Sequence, residues 1–203
     1  MRSLLVIALV SLACTVWAKP SSYLELRYEG VTGQTEWYTC GPAALATLLT
    51  QFYGLEDAGE LELLELSLQA MEGSGKNVEE TGVTALALKQ VTEAKGVAAK
   101  GFSVTMEELR AYFGGDGLPL VIHVTRPQFH YVLAIGLVED QIVLADPSYG
   151  RRILPFSSLV YEKGFSGVVI ATSPNEALAQ RAKRVQSETL LWAARRLERL
   201  GDL

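Results

Sequence analysis

The chain has 203 residues, two cysteines, 49% apolar residues and a formal net charge of −5. That acidic balance, with no lysine–arginine run and no aromatic ladder, argues against a nucleic-acid binder. Two cysteines cannot build a disulfide framework, so burial must hold the fold together, and the length suits one domain with a real core.

Arg2 opens the chain and an almost unbroken apolar run follows from Leu4 to Trp17, ending in Val16-Trp17-Ala18, which has small-x-small cleavage spacing. This is the layout of an export signal over residues 1–18. The run falls short of the roughly 20 apolar residues of a comfortable membrane span, so a retained anchor is the lesser alternative. A lipid-modified Cys14 ranks lower still, because Ser11 and Leu12 stand in the wrong order for lipid attachment. Once the signal is removed, Cys40 has no partner within the chain. A leftover thiol in an exported protein is an intermolecular crosslinker or a reactive group.

After the signal, "SYLELRY" (residues 22–28) alternates apolar and polar residues, which predicts a short strand. "CGPAALATLLTQFYGL", from Cys40, predicts a helix with Pro42 in its first turn, where a missing N–H costs nothing. Ala44, Leu45, Leu48, Leu49 and Phe52 surround much of that cylinder, so the helix should be mostly buried. "GELELLELSLQAMEG" and "TGVTALALKQVTEAKG" predict two more helices, and "EGSGKNVEE" between them has the composition of a loop bordering a cleft.

The pattern changes near residue 98. "AAKGFSV" reads as a strand, and "TMEELRAYFGG" as a short helix with Thr105 and Glu108 in capping-box spacing. "LPLVIHVT", "HYVLAIGL", "QIVLAD", "RRILPF" and "FSGVVIAT" then supply five strands rich in β-branched residues. Helices first and strands second define an α+β fold. From Pro174 the composition turns basic, with six basic and four acidic residues, and Leu178, Ala182, Val185, Ala193, Leu197 and Leu200 recur at helical intervals. The expected organisation is a signal over 1–18, one domain over 19–173 and an amphipathic helix over 174–203. That helix packs on the domain or, as the sharper alternative, docks on a partner or an anionic membrane surface.

Cys40 sits at a helix head, where unpaired N–H groups favour thiolate, and Gly41 beside it lets a substrate backbone approach. The competing interpretation is a small buried hydrophobe. A reactive thiolate needs an imidazole, and the chain has only His123 and His130. If the hairpin after His130 turns about Val138, His130 lies directly across from Asp146 at about 5 Å between Cβ atoms. A one-residue slip would put the pair on opposite faces. His123 has no such acidic partner and reads as a hydrogen-bonded structural histidine. Gln34, six residues before the thiol, can fold back beside the Cys40 N–H and present an amide to a developing oxyanion.

Gln34 spaced before Cys40-Gly41-Pro42-Ala43, then "HYVLAIG", then "DPSYG" from Asp146, resembles the C39 peptidase family, cysteine peptidases that process bacteriocin leaders. The resemblance spans about residues 22 to 172. It implies a papain-like fold with the Cys40 helix packed on an antiparallel sheet, and peptide-bond cleavage, often after a Gly-Gly leader. Cys40 would be the nucleophile, His130 the base and acid, Asp146 the orienting group and Gln34 the oxyanion donor. Thr39 departs from the pattern, since an aspartate often precedes the cysteine in that family. With its own signal, the chain is similar to the standalone exported branch, some of whose members accompany functional-amyloid secretion. The implied partner is a peptide or protein substrate, such as an exported subunit or its secretion apparatus. A non-catalytic peptide-binding or chaperone module and a papain-like amide transferase are the alternatives. No ligand cluster implies a metal, and no cofactor is called for.

Overall fold

The computed structural model describes residues 22–201, so the export signal expected over 1–18 lies outside the described residues. Six strands form one antiparallel sheet: β1 Ala98–Ser103, β2 Leu120–Val124, β3 His130–Val138, β4 Gln141–Asp146, β5 Gly150–Pro155 and β6 Phe165–Ser173. Their order is β1-β6-β2-β3-β4-β5. The helices are α1 Tyr23–Arg27, α2 Cys40–Ala46, α3 Glu60–Met71, α4 Val78–Thr81, α5 Ala85–Ala94, α6 Met106–Gly114, α7 Ser158–Tyr161 and α8 Glu176–Gly201. The α+β class and the helix-on-sheet arrangement follow the sequence expectation.

One difference lies at the start. Residues 22–28 are not a strand; Tyr23–Arg27 is helical. Ser22 accepts the N–H of Glu25 while the Glu25 carboxylate accepts the N–H of Ser22, a complete capping box. Two satisfied backbone donors outweigh a brief alternation that has no neighbouring strand to pair with. The second capping box, Thr105 with Glu108, opens α6 as expected.

α2 continues as a π-helical stretch, Thr47–Phe52, in place of a uniform α-helix. The Thr47 and Thr50 hydroxyls donate to the carbonyls of Ala43 and Ala46, and such back-bonding loosens the regular ladder. This rod packs between α3, α5 and the sheet, and its Ala44, Leu45, Leu48, Leu49 and Phe52 are all buried. One face of the sheet closes over this helical layer, with Val121, Leu133, Ile135, Val143 and Ile170 pointing into it. The other face carries Leu120, Ile122, Val132, Ala134 and Leu144, covered by Leu109 of α6 and Leu159 of α7.

The β3–β4 hairpin fixes what the site can be. Its turn is at Glu139–Asp140, with Val138 opposite Gln141, not at Val138 as the sequence reading assumed. Run on unchanged, that register would set Asp146 opposite Leu133 and point its carboxylate into the helical layer. A β-bulge intervenes between Ala134 and Gly136, where Ile135 takes no partner on β4. Beyond it Leu133 faces Ala145, so the next pair would be Val132 and Asp146, and His130 is a diagonal neighbour on the same face.

Ile135 also lies past the end of the β2–β3 pairing, which stops at Ala134. Its carbonyl accepts the Gln186 side-chain amide of α8 at 2.6 Å, and the same amide donates to the Gly117 carbonyl at 2.9 Å. Gln186 is itself buried. Replacing Gln186 with Leu strands the bulge carbonyl and should lower stability by about 1–3 kcal/mol in urea unfolding. An unchanged midpoint would show that the bulge does not depend on α8.

Candidate active site

Thr39, Cys40 and Gly41 form the junction between an irregular segment and α2. Cys40 is 5% exposed, and its Sγ accepts the Tyr131 backbone N–H at 3.5 Å. Gly41 has a packing reason of its own. A Cβ there would come within 2.9 Å of Leu88 and 3.3 Å of the Tyr131 ring, so the glycine lets α2 sit close against α5 and β3.

His130 begins β3 and is nearly buried. Its Nε2 is 2.9 Å from Asp146 Oδ1, and the Ser148 N–H donates to that same oxygen at 3.0 Å. Arg152 Nη1 is 3.5 Å from the other carboxylate oxygen. Burial alone would lower the His130 pKa. Hydrogen bonds to Asp146 and Cys40, with the charges of both, overcome burial and push it up to about 9. Burial likewise works against the Asp146 carboxylate, yet His130, the Ser148 N–H and Arg152 together hold its pKa below the usual range. With Nε2 engaged by Asp146, Nδ1 is the ring nitrogen left to face sulfur.

Gln34 is tied to the same corner from the other side. Its backbone N–H donates to the Pro147 carbonyl at 3.1 Å and its Oε1 accepts the Ser148 hydroxyl at 2.8 Å. Its Nε2 donates to the Glu36 carbonyl at 3.0 Å, so in this state the amide closes its own loop. The structure therefore gathers Cys40, His130 and Asp146 directly and attaches Gln34 through Ser148.

Two residues escaped the sequence reading. Glu60, first residue of α3, is buried and accepts from the Thr35 N–H at 2.7 Å, with its Oε1 also 3.1 Å from the Thr35 hydroxyl and 2.5 Å from that of Thr39. Where an aspartate was expected beside the cysteine, Thr39 borrows a carboxylate from another helix. Its acidic residue in a solvated-looking helix start gave no signal of this. His123 was read as structural, and its Nδ1 does pair with the Ser166 hydroxyl at 2.9 Å. Yet it also lines, with Cys40, Trp37, Phe129 and Tyr131, a cleft of about 360 Å³. The segment expected to be a loop bordering a cleft does border it, through Lys76 and Glu80, but its end is the short helix α4, opened by the Asn77 side chain accepting the Glu79 N–H. Burial, and then the neighbouring His130, lower the His123 pKa. Among the described residues no cluster of three or more His, Cys, Asp or Glu could hold a metal ion.

A buried thiol, an imidazole whose cationic form is favoured and a carboxylate behind it can carry out acyl transfer. The comparisons with known proteins bear on the same point. The model of the peptidase C39 family matches residues 29–177. The chain belongs to the peptidase C39 family. It is thus a C39 cysteine peptidase with the family's α+β fold. Among relatives, a probable functional amyloid protease, FapD, of Pseudomonas fluorescens is 27% identical over 157 residues, 77% of this chain and 66% of the relative. The peptidase domain of Streptococcus ComA, a bi-functional ABC transporter involved in quorum sensing, superposes with a TM-score of 0.59 at 23% identity, over 71% of this chain and 98% of that one. A double-glycine-motif protease from an AMS/PCAT transporter, solved with its leader peptide, gives 0.55 at 22% identity, over 71% and 91%. At these identities the two structural likenesses are likenesses of fold.

Removing the Glu60 carboxylate should loosen the segment from Thr35 to Cys40. Glu60→Ala is expected to cost at least about 2 kcal/mol, and Glu60→Gln less, since the amide oxygen still accepts. Urea unfolding of both variants checks the order, and an alanine variant as stable as wild type would contradict it.

Proposed function

We propose that this C39 peptidase is exported and cleaves a peptide bond after a Gly-Gly-type leader in a secreted protein or peptide. The observation that carries the reading is the His130 ring held between Asp146 and Cys40, with its pKa up to about 9. In this account the Cys40 sulfur attacks the scissile carbonyl carbon. His130 holds the proton that the thiol gives up and passes it to the departing amine. A water, deprotonated by the same imidazole, then releases the acyl group from the thioester. Asp146 keeps the ring oriented and its cation stabilised.

Gln34 supplies the oxyanion donor once its Nε2 leaves the Glu36 carbonyl. Anchorage of its Oε1 by Ser148 limits that change to a swing about a fixed end. The Gly-Gly preference draws on the fold shared with the leader-bound protease, and an amyloid-secretion substrate on the FapD relative. Export rests on the apolar run from Leu4 to Trp17. The packed C-terminal helix has no part in the chemistry beyond holding β3.

Chloroacetamide should label Cys40 quickly in wild type, at least tenfold more slowly in His130→Ala, and little differently in His123→Ala, by roughly the rate expected from losing a paired imidazolium. Equal rates in all three contradict the pairing. Cleavage of a Gly-Gly leader peptide should fall as pH rises through about 9, when His130 loses the proton that the leaving amine needs. Asp146→Asn removes groups that raise that pKa, so the alkaline limb should move to lower pH. A limb that stays in place would separate Asp146 from His130.

In cells, Cys40→Ala should leave uncut N-termini on exported substrates, as deletion does. Full rescue by Cys40→Ala would favour a binding module in place of a peptidase.

A further inference from the structure

Acyl transfer from an amide decides which side of the imidazole the departing half of a substrate occupies. Sulfur bonds to the carbonyl carbon, the C–N bond breaks, and the imidazolium proton goes to the leaving nitrogen. Residues after the cut therefore lie on the His130 side of the thiol. Cys40 lines the large cleft, whereas His130 and Asp146 line a second, small cavity of about 50 Å³. Gln128, in the loop that leads into His130, lines both hollows.

The charge around this second cavity is one-sided. Arg126 and Lys163 line it together with Tyr149. Arg152 stands behind two of the lining residues, 3.5 Å from Asp146 and with its guanidinium 5.2 Å from the Tyr149 ring centre. Asp146 is the single carboxylate in the wall, and its oxygens already serve His130, the Ser148 N–H and Arg152. Lys163 Nζ lies 5.6 Å from the Tyr149 ring centre and has no carboxylate at ion-pair distance among the described residues. Its pKa is lowered by burial and by Arg152, against the opposing pull of Asp146 and Glu162, as befits a cation short of counter-charge. Arg126 spends one N–H on the Tyr161 carbonyl and keeps the rest of its fork.

The geometry points to a subsite for an acidic side chain, Asp or Glu, in the first residues after the scissile bond. This deepens the peptidase reading above and rests on it. A short carboxylate fits the volume, supplies the missing counter-charge to Lys163, and can accept from the Arg126 guanidinium. Substrates would thus carry a small, uncharged pair before the cut and an acid just after it.

The test gives the full chain three peptides that are identical through Gly-Gly and differ only in the next residue: Asp, Asn or Lys. The Asp peptide should show a kcat/KM about tenfold above the Lys peptide, with Asn between, and the gap should shrink with added salt. Lys163→Glu and, separately, the exposed Arg126→Glu should each lower or invert the Asp-to-Lys ratio. A ratio taken within one enzyme cancels any overall loss of activity. Equal rates for the three peptides in wild type, or a ratio unmoved by both variants, overturns the subsite and leaves the peptidase reading standing. If none of the peptides is cut, the peptidase reading falls and the subsite falls with it.

Discussion

A strand repeats every two residues, so a histidine and an aspartate on neighbouring strands meet only if the pairing has the right parity. The β3–β4 turn alone sets the wrong parity. The extra residue at Ile135 corrects it and places His130 and Asp146 on one face of the sheet, 2.9 Å apart. Everything electrostatic at the site follows from that correction. Without it, Asp146 would be directed into the apolar layer under α2, and His130 would keep the burial that lowers its pKa while losing the carboxylate that raises it.

The bulge is costly by itself, because Ile135 pairs with neither neighbouring strand. Gln186 of α8 supplies the missing hydrogen bond, and Gly136 next to it makes room, since a Cβ there would lie 3.0 Å from Leu190. A helix near the end of the chain, mostly beyond the residues matched by the family model, thus helps to hold the sheet geometry that its site depends on. It is also clipped to the turn at Gly117, so α8, the β3 bulge and the entry to β2 form one packed unit.

Much of this was legible in the sequence, and the exceptions have physical reasons. Apolar runs with helical or β-branched character identified α2, α3, α5 and the strands, most securely β2, β3 and β4, where burial dominates; β1 was found as a strand although most of its residues are exposed. Residues 22–28 misled because seven residues alternate by chance as easily as by design, while the Ser22–Glu25 box carried the stronger local signal. Cys40, His130, Asp146 and Gln34 stood out by residue type and spacing, yet the turn centre used to pair His130 with Asp146 was wrong. No local pattern announces a bulge whose stabilising partner lies 51 residues away. Glu60 was hidden for a similar reason, since its partners Thr35 and Thr39 are reached only through the fold.

The site divides into two environments. Around Cys40 the walls carry aromatic rings, and His123, whose pKa burial and then His130 lower, sits against Phe129 and Tyr131. Around His130 they are basic. The imidazole at the boundary is what joins the two halves, so its protonation is the quantity to measure. Titration of the His130 ring by NMR in the full chain should give a pKa near 9, with the Nε2 proton shared with Asp146. An ordinary value near 6.5, unmoved by Asp146→Asn, would contradict the account at its centre.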